Sequence, residues 1–197
     1  MAPDQLPDPV AVALAVASVF ERLGIPYFAG GSLASSLHGE PRSTVDVDLV
    51  ADLRPDHVAP LLAALQSEYY VSEVAVREAL RFGTSFNAIH FATAVKVDVY
   101  LVAQDPFNAE RLAYRQRMQV WADPPAELFV DTAEYTVLRK LEWYRRGGEV
   151  SERQWRDVLG VLRVKGDSLD QARLNTWAPR LGVADLLAQA REEAQQR

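Results

Sequence analysis

The chain has 197 residues, no cysteine, and a formal net charge of −6 from 21 basic and 27 acidic side chains. That length allows one full domain, or one with a small appendage, and enough core to fold without staples. With 49% hydrophobic and 24% charged residues it reads as globular rather than disordered. The missing cysteines exclude a disulfide scaffold, a thiolate zinc site and a thiol nucleophile, and the acidic balance argues against a general nucleic-acid binder.

The apolar stretch Val10 to Phe20 is led by Asp4 and Asp8, not by the basic start of a secretory signal. No run approaches the ~18 apolar residues of a membrane span. The expectation is a cytoplasmic protein with no membrane partner.

Asp8-Pro9 offers a cap and a first-turn proline, and Val10, Leu14, Val16, Val19, Phe20 and Leu23 follow at helical spacing until Gly24 and Pro26. Tyr27 to Ala29 reads as a strand entering a turn at Gly30-Gly31, with a short helix over Ser32 to Leu37. Thr44 to Val50 alternates: Val45, Val47 and Leu49 on one face, Thr44, Asp46 and Asp48 on the other. A helix is expected from Pro55 to about Tyr69, and a strand over Tyr70 to Val76; Arg77 to Phe82 is ambiguous. Phe86 to Phe91 and Val95 to Val102 read as paired strands, the second placing Lys96, Asp98 and Tyr100 opposite Val95, Val97, Val99 and Leu101. A helix over Asn108 to Gln116 and short strands at Met118 to Trp121 and Glu127 to Val130 complete this half. Beyond Pro124-Pro125 the pattern is helical: one helix to Arg146, a second from the Ser151–Gln154 capping box, a third capped by Asp170 and a fourth from Val183. The division expected is a mixed α/β half, residues 1–125, and a helical part, residues 126–197.

Three groups of residues carry chemistry. Gly30-Gly31-Ser32 sits between a strand and a helix, where glycines permit a sharp turn and close backbone approach, and helix-start N–H groups suit phosphate. Asp46 and Asp48, two apart on one strand, share a face with Cα atoms about 6.5–7 Å apart. Such a pair suits a hard cation like magnesium, which takes one or two carboxylates together with substrate phosphates. Asp98 has the same parity as that pair, so three carboxylates share one sheet face if the two strands are neighbours.

Gly30-Gly31-Ser32, then residues 33 to 45, then Asp46-Val47-Asp48 and a later strand with Asp98, resembles the polymerase-beta-type nucleotidyltransferase superfamily. Arg42 to Leu49 is similar to the Arg-x-Ser/Thr-x-Asp-aliphatic-Asp signature of its AbiEii-like branch, known for toxin–antitoxin enzymes. That branch also carries a helix Lys and a later Arg-Asp pair, matched by Lys140 and by Arg156-Asp157. The resemblance implies an α/β (α+β) fold: a mixed β-sheet nucleotidyltransferase core with helices on one face, followed by a C-terminal helical bundle. It implies transfer of NMP from an NTP, ATP among them, to a hydroxyl on a tRNA end, a protein or a small molecule. One or two Mg²⁺ ions would rest on Asp46, Asp48 and Asp98, with Asp98 as metal ligand or acceptor base. Gly30, Gly31, Ser32 and Arg42 would bind the nucleotide, Lys140 would neutralise phosphate charge, and an antitoxin protein would be the partner.

Blander readings stand beside these. Lys140 also fits a surface lysine, Arg42 a counter-ion of Asp46 or Asp48, and Arg156-Asp157 a structural ion pair between helices. Trp121, Trp143, Trp155 and Trp177 are expected in core packing, and His38, His57 and His90 are given no chemistry. A non-catalytic nucleotidyltransferase-fold protein acting through a protein partner is the alternative function.

Overall fold

The computed structural model describes residues 9–43, 46–122 and 124–196. In chain order α1 (Pro9–Arg22) leads into β1 (Tyr27–Ala29) and α2 (Gly31–His38). Then come β2 (Val47–Ala51), α3 (Val58–Leu65), β3 (Tyr69–Tyr70), α4 (Glu73–Phe82), β4 (Ser85–His90) and β5 (Lys96–Leu101). α5 (Pro106–Tyr114), β6 (Gln116–Ala122) and β7 (Pro125–Val130) follow, and then α6 (Ala133–Arg146), α7 (Glu152–Lys165), α8 (Gln171–Arg180) and α9 (Ala184–Gln195).

These elements form two compact units. One holds α1, β1 and everything from β2 to β7; the other holds α2 and the four helices from α6 onward. The helical unit therefore consists of Gly30–Ser43 together with Asp131–Arg197, and neither unit is one continuous stretch of chain.

The first unit is built on one mixed sheet with strand order β3-β4-β5-β2-β1-β7-β6. β2 runs parallel to β5, and β1 parallel to β7; the other neighbours are antiparallel. Alternation in the central strands is complete: Val47, Leu49, Ala51, Val97 and Val99 are buried, while the residues between them are not. A one-residue slip would expose every one of these aliphatic side chains, so burial itself holds the register.

The expected strand over Tyr70 to Val76 is corrected. Strand pairing ends at Tyr70, and α4 begins at Glu73. The Ser72 hydroxyl caps that helix by accepting from the Ala75 N–H at 3.3 Å, and Gly83 closes it in the left-handed conformation. Only Val76 and Ala79 of α4 are buried, one turn apart, whereas Val74 is 66% exposed. The β-branched residues here thus lie on different faces of a helix. α5 likewise starts earlier than its expected Asn108, because Asp105 caps it and Pro106 takes the first turn.

In the helical unit, α2 packs on α6 and α7, burying Leu33 and Ala34 with Leu138, Leu141, Val158 and Val161. At the end of α2 the chain comes very close to α7: a Cβ on Gly39 would sit 2.6 Å from the Val161 nitrogen. No helix among the described residues is long and apolar enough to cross a membrane.

Candidate functional site

In the sheet unit, the parallel ladder between β2 and β5 makes Asp48 and Asp98 direct register partners. Neighbouring strands lie about 4.8 Å apart, and directly paired residues point to the same face. The two carboxylates therefore stand side by side on the face opposite the buried aliphatic row. Asp46 immediately precedes β2 and is exposed. Thr44 and Val45, expected at the start of this strand, lie outside the described residues.

Two groups already hold Asp98. Lys96, two positions earlier on the same strand face, places its Nζ 2.8 Å from Asp98 Oδ2. Asn87, the register partner of Asp98 on β4, donates its amide to Asp98 Oδ1. Hydrogen bonding to Asp98, with the charges of Asp98 and Asp46 nearby, pushes the Lys96 ammonium above the usual lysine range. Tyr100 stands on the same face, and burial followed by the negative fields of Asp48 and Asp98 raises its phenol.

Among the described residues no group of three or more His, Cys, Asp or Glu side chains is close enough to cage a metal. A pair of hard oxygen donors on adjacent strands still fits magnesium, which usually keeps waters and completes its octahedron with substrate phosphate.

In the helical unit, Gly30 caps α2 without a side-chain bond and Gly31 opens the helix at φ 55°, a left-handed value that favours glycine. Ser32 is buried. Its hydroxyl oxygen accepts from Arg42 Nη2 at 2.8 Å, which leaves its own proton to donate elsewhere. The Arg42 fork closes on Asp157: Nε donates to Oδ1 at 2.8 Å and Nη2 to Oδ2 at 2.9 Å. Lys140 Nζ donates to the same Oδ2 at 2.6 Å, and the Ser35 hydroxyl lies 3.3 Å from it.

Ser32, Arg42 and Lys140 are thus brought together, with Asp157 as their centre. Burial alone would raise the Asp157 carboxyl, but hydrogen bonds from Arg42 and Lys140 outweigh it and hold the group below the usual range. Burial depresses the Lys140 ammonium despite Asp157, while the Asp157 hydrogen bond raises Arg42.

Three of the blander readings are corrected here, and one holds in part. Lys140 is no surface lysine: it is 6% exposed and faces Asp157. Against the reading of Arg42 as a counter-ion of Asp46 or Asp48, its bidentate carboxylate partner is Asp157. Arg156 is exposed, but Asp157 does form an ion pair between helices, through Lys140 of α6. Of the tryptophans, Trp177 is in the core, but Trp143 is 51% exposed on α6.

Asp157 is also the residue whose position sequence spacing does not reveal, since its Arg42 partner lies 115 positions away. His38 is a second such residue. It is almost fully buried, with Nε2 2.6 Å from the Asp131 carbonyl oxygen, and burial lowers its basicity.

No protein-family model and no curated protein matches the chain. Solved structures do. The antibiotic-resistance factor ANT(2'')-Ia is similar with a TM-score of 0.56 at 14% identity, over 93% of this chain and 99% of that one. An antigenic nucleotidyltransferase-like protein from Paracoccidioides brasiliensis is similar with a TM-score of 0.58 at 18% identity, over 97% of this chain and 95% of that one. The lincosamide antibiotic adenylyltransferase LnuA, lincomycin-bound, is similar with a TM-score of 0.50 at 11% identity, over 76% of this chain and 93% of that one. At these identities the likeness is one of fold: the chain folds as the nucleotidyltransferases do.

Proposed function

We propose that the chain is a magnesium-dependent nucleotidyltransferase that moves NMP from an NTP to a hydroxyl acceptor. The side-by-side placement of Asp48 and Asp98 on β2 and β5 carries this reading. In it, Asp48 and Asp98 hold the ion as a pair, and Asp46, exposed just before β2, adds negative charge nearby. When bound, the ion stabilises charge on the reacting phosphate oxygens. Gly30, Gly31, Ser32 and Arg42 bind the nucleotide phosphates through helix-start N–H groups, a hydroxyl proton and a guanidinium. Lys140 acts through Asp157, keeping that carboxylate charged and the Arg42 fork in place. Such a transfer asks little covalent work of the protein, so positioning and charge supply the rate.

ATP is the donor and a small hydroxyl-bearing molecule the acceptor in this proposal. Support comes from LnuA, described as an adenylyltransferase with lincomycin bound, and from ANT(2'')-Ia in complex with adenylyl-2''-tobramycin. The Arg42 to Leu49 signature supports the AbiEii-like branch, with an antitoxin protein as partner.

Incubation with each α-labelled NTP, Mg²⁺ and pools of small molecules, RNA and protein tests the reading. The expected outcome is a labelled small-molecule product with ATP, lost on metal chelation and reduced at least about 100-fold in Asp48→Asn. Absence of product from all four nucleotides, with no Mg²⁺-dependent nucleotide binding, would sink it.

A further inference from the structure

We infer that Lys96 is a resident counter-ion that competes with a divalent metal for Asp98 and so sets how readily the acid face of the sheet loads its ion. The inference rests on the metal-holding role proposed for Asp48 and Asp98.

Both oxygens of Asp98 have partners: the Asn87 amide at Oδ1 and the Lys96 ammonium at Oδ2. The two partners differ in kind. The amide is neutral and donates one hydrogen bond, so Oδ1 keeps lone-pair capacity for a cation. The ammonium is a compact point charge. It occupies Oδ2 and repels any dication brought to the same carboxylate.

The strand geometry makes this conflict local. Lys96 and Asp98 are i and i+2 on one strand, so they share a face, and Asp48 is the residue directly beside Asp98 on β2. A dication shared by Asp48 and Asp98 would therefore lie within a side-chain length of Lys96. Lys96 is also free to leave, because its side chain is 39% exposed while that of Asp98 is 13% exposed. A pair on the solvent edge is weak enough for a dication to displace. The lysine thus neutralises Asp98 while the ion is absent and gives way when it arrives.

The test uses the full chain and Mn²⁺, with free ion counted by electron paramagnetic resonance, both without nucleotide and with a non-hydrolysable ATP analogue. Lys96→Met is expected to bind Mn²⁺ roughly three- to fivefold more tightly than the wild type. Lys96→Arg keeps the charge and is expected to stay at the wild-type value. Thermal melts of both variants confirm folding at this exposed position. Unchanged or weaker Mn²⁺ affinity in Lys96→Met under both conditions overturns the inference and leaves the proposed function standing. If instead Asp98→Asn binds Mn²⁺ as the wild type does under both conditions, the metal-holding role itself falls and takes this inference with it.

Discussion

Asp157 is where single-residue energetics are most concentrated. Its carboxylate serves a guanidinium, an ammonium and a hydroxyl while nearly out of water. Replacing a buried ion pair as a whole can be neutral, but removing one member strands the other. Asp157→Ala is therefore expected to destabilise the protein by about 3 kcal/mol, read from urea melts, because it leaves Lys140 buried without the carboxylate that compensates it. Replacing Asp157 with Leu and Lys140 with Met together should restore much of that loss. The pH dependence has a definite sign. The folded carboxyl lies below its ordinary value of 3.8, so the folded state binds fewer protons there and stability rises with pH. The contribution is complete above about pH 4 and is lost as pH falls through the lower folded value. Asp157→Asn should flatten that acid limb.

At the scale of elements, the alternation of β2 and β5 is readable in the sequence, whereas their pairing and the α2–α7 contact are not, for different physical reasons. Strand alternation has a period of two. An aliphatic face set against Asp46, Asp48 and Asp98 therefore announces both the strand and its orientation before any partner is known. The α4 helix was hidden because Val71, Val74 and Val76 favour strands locally, whereas the Ser72 cap and a buried Val76–Ala79 pair decide the outcome. The meeting of α2 with α7 is set by Gly39 against the Gly160–Val161 backbone, a contact between residues far apart in the chain. The same separation hid the Arg42–Asp157 fork, although both residues stood in the sequence motifs. Gly39 reads in sequence as part of the loop from His38 to Pro41. In space, a methyl there would lie 2.6 Å from one backbone atom and 2.8 Å from another. Gly39→Ala should cost about 1–3 kcal/mol by forcing α2 off α7, visible as a lower melting temperature and faster amide exchange in both helices.

For the whole molecule, the chain path matters more than composition. The helical unit needs Gly30–Ser43, and the sheet unit needs the segments on both sides of that excursion. Truncation after Val130 would remove α6 and α7 and leave Leu33, Ala34 and His38 of α2 without the helices that bury them. A fragment ending at Val130 is expected to lack a cooperative thermal transition and to aggregate, measured by calorimetry and light scattering. A sharp transition would show that the sheet unit is stable by itself.

The uneven placement of the four tryptophans has a spectroscopic consequence. Trp143, Trp155 and Trp177 belong to the helical unit, and Trp121 alone lies on β6. Their surroundings differ: half exposed for Trp143, hydrogen-bonded through the indole N–H to Glu193 for Trp155, and core for Trp177. Intrinsic fluorescence is therefore weighted toward the helices, with a red-edge contribution from Trp143 and a blue-edge one from Trp177. A version with Trp121 as its sole indole turns the same emission into a reporter of the sheet, so comparing it with the full set of four separates the loss of one unit from that of the other.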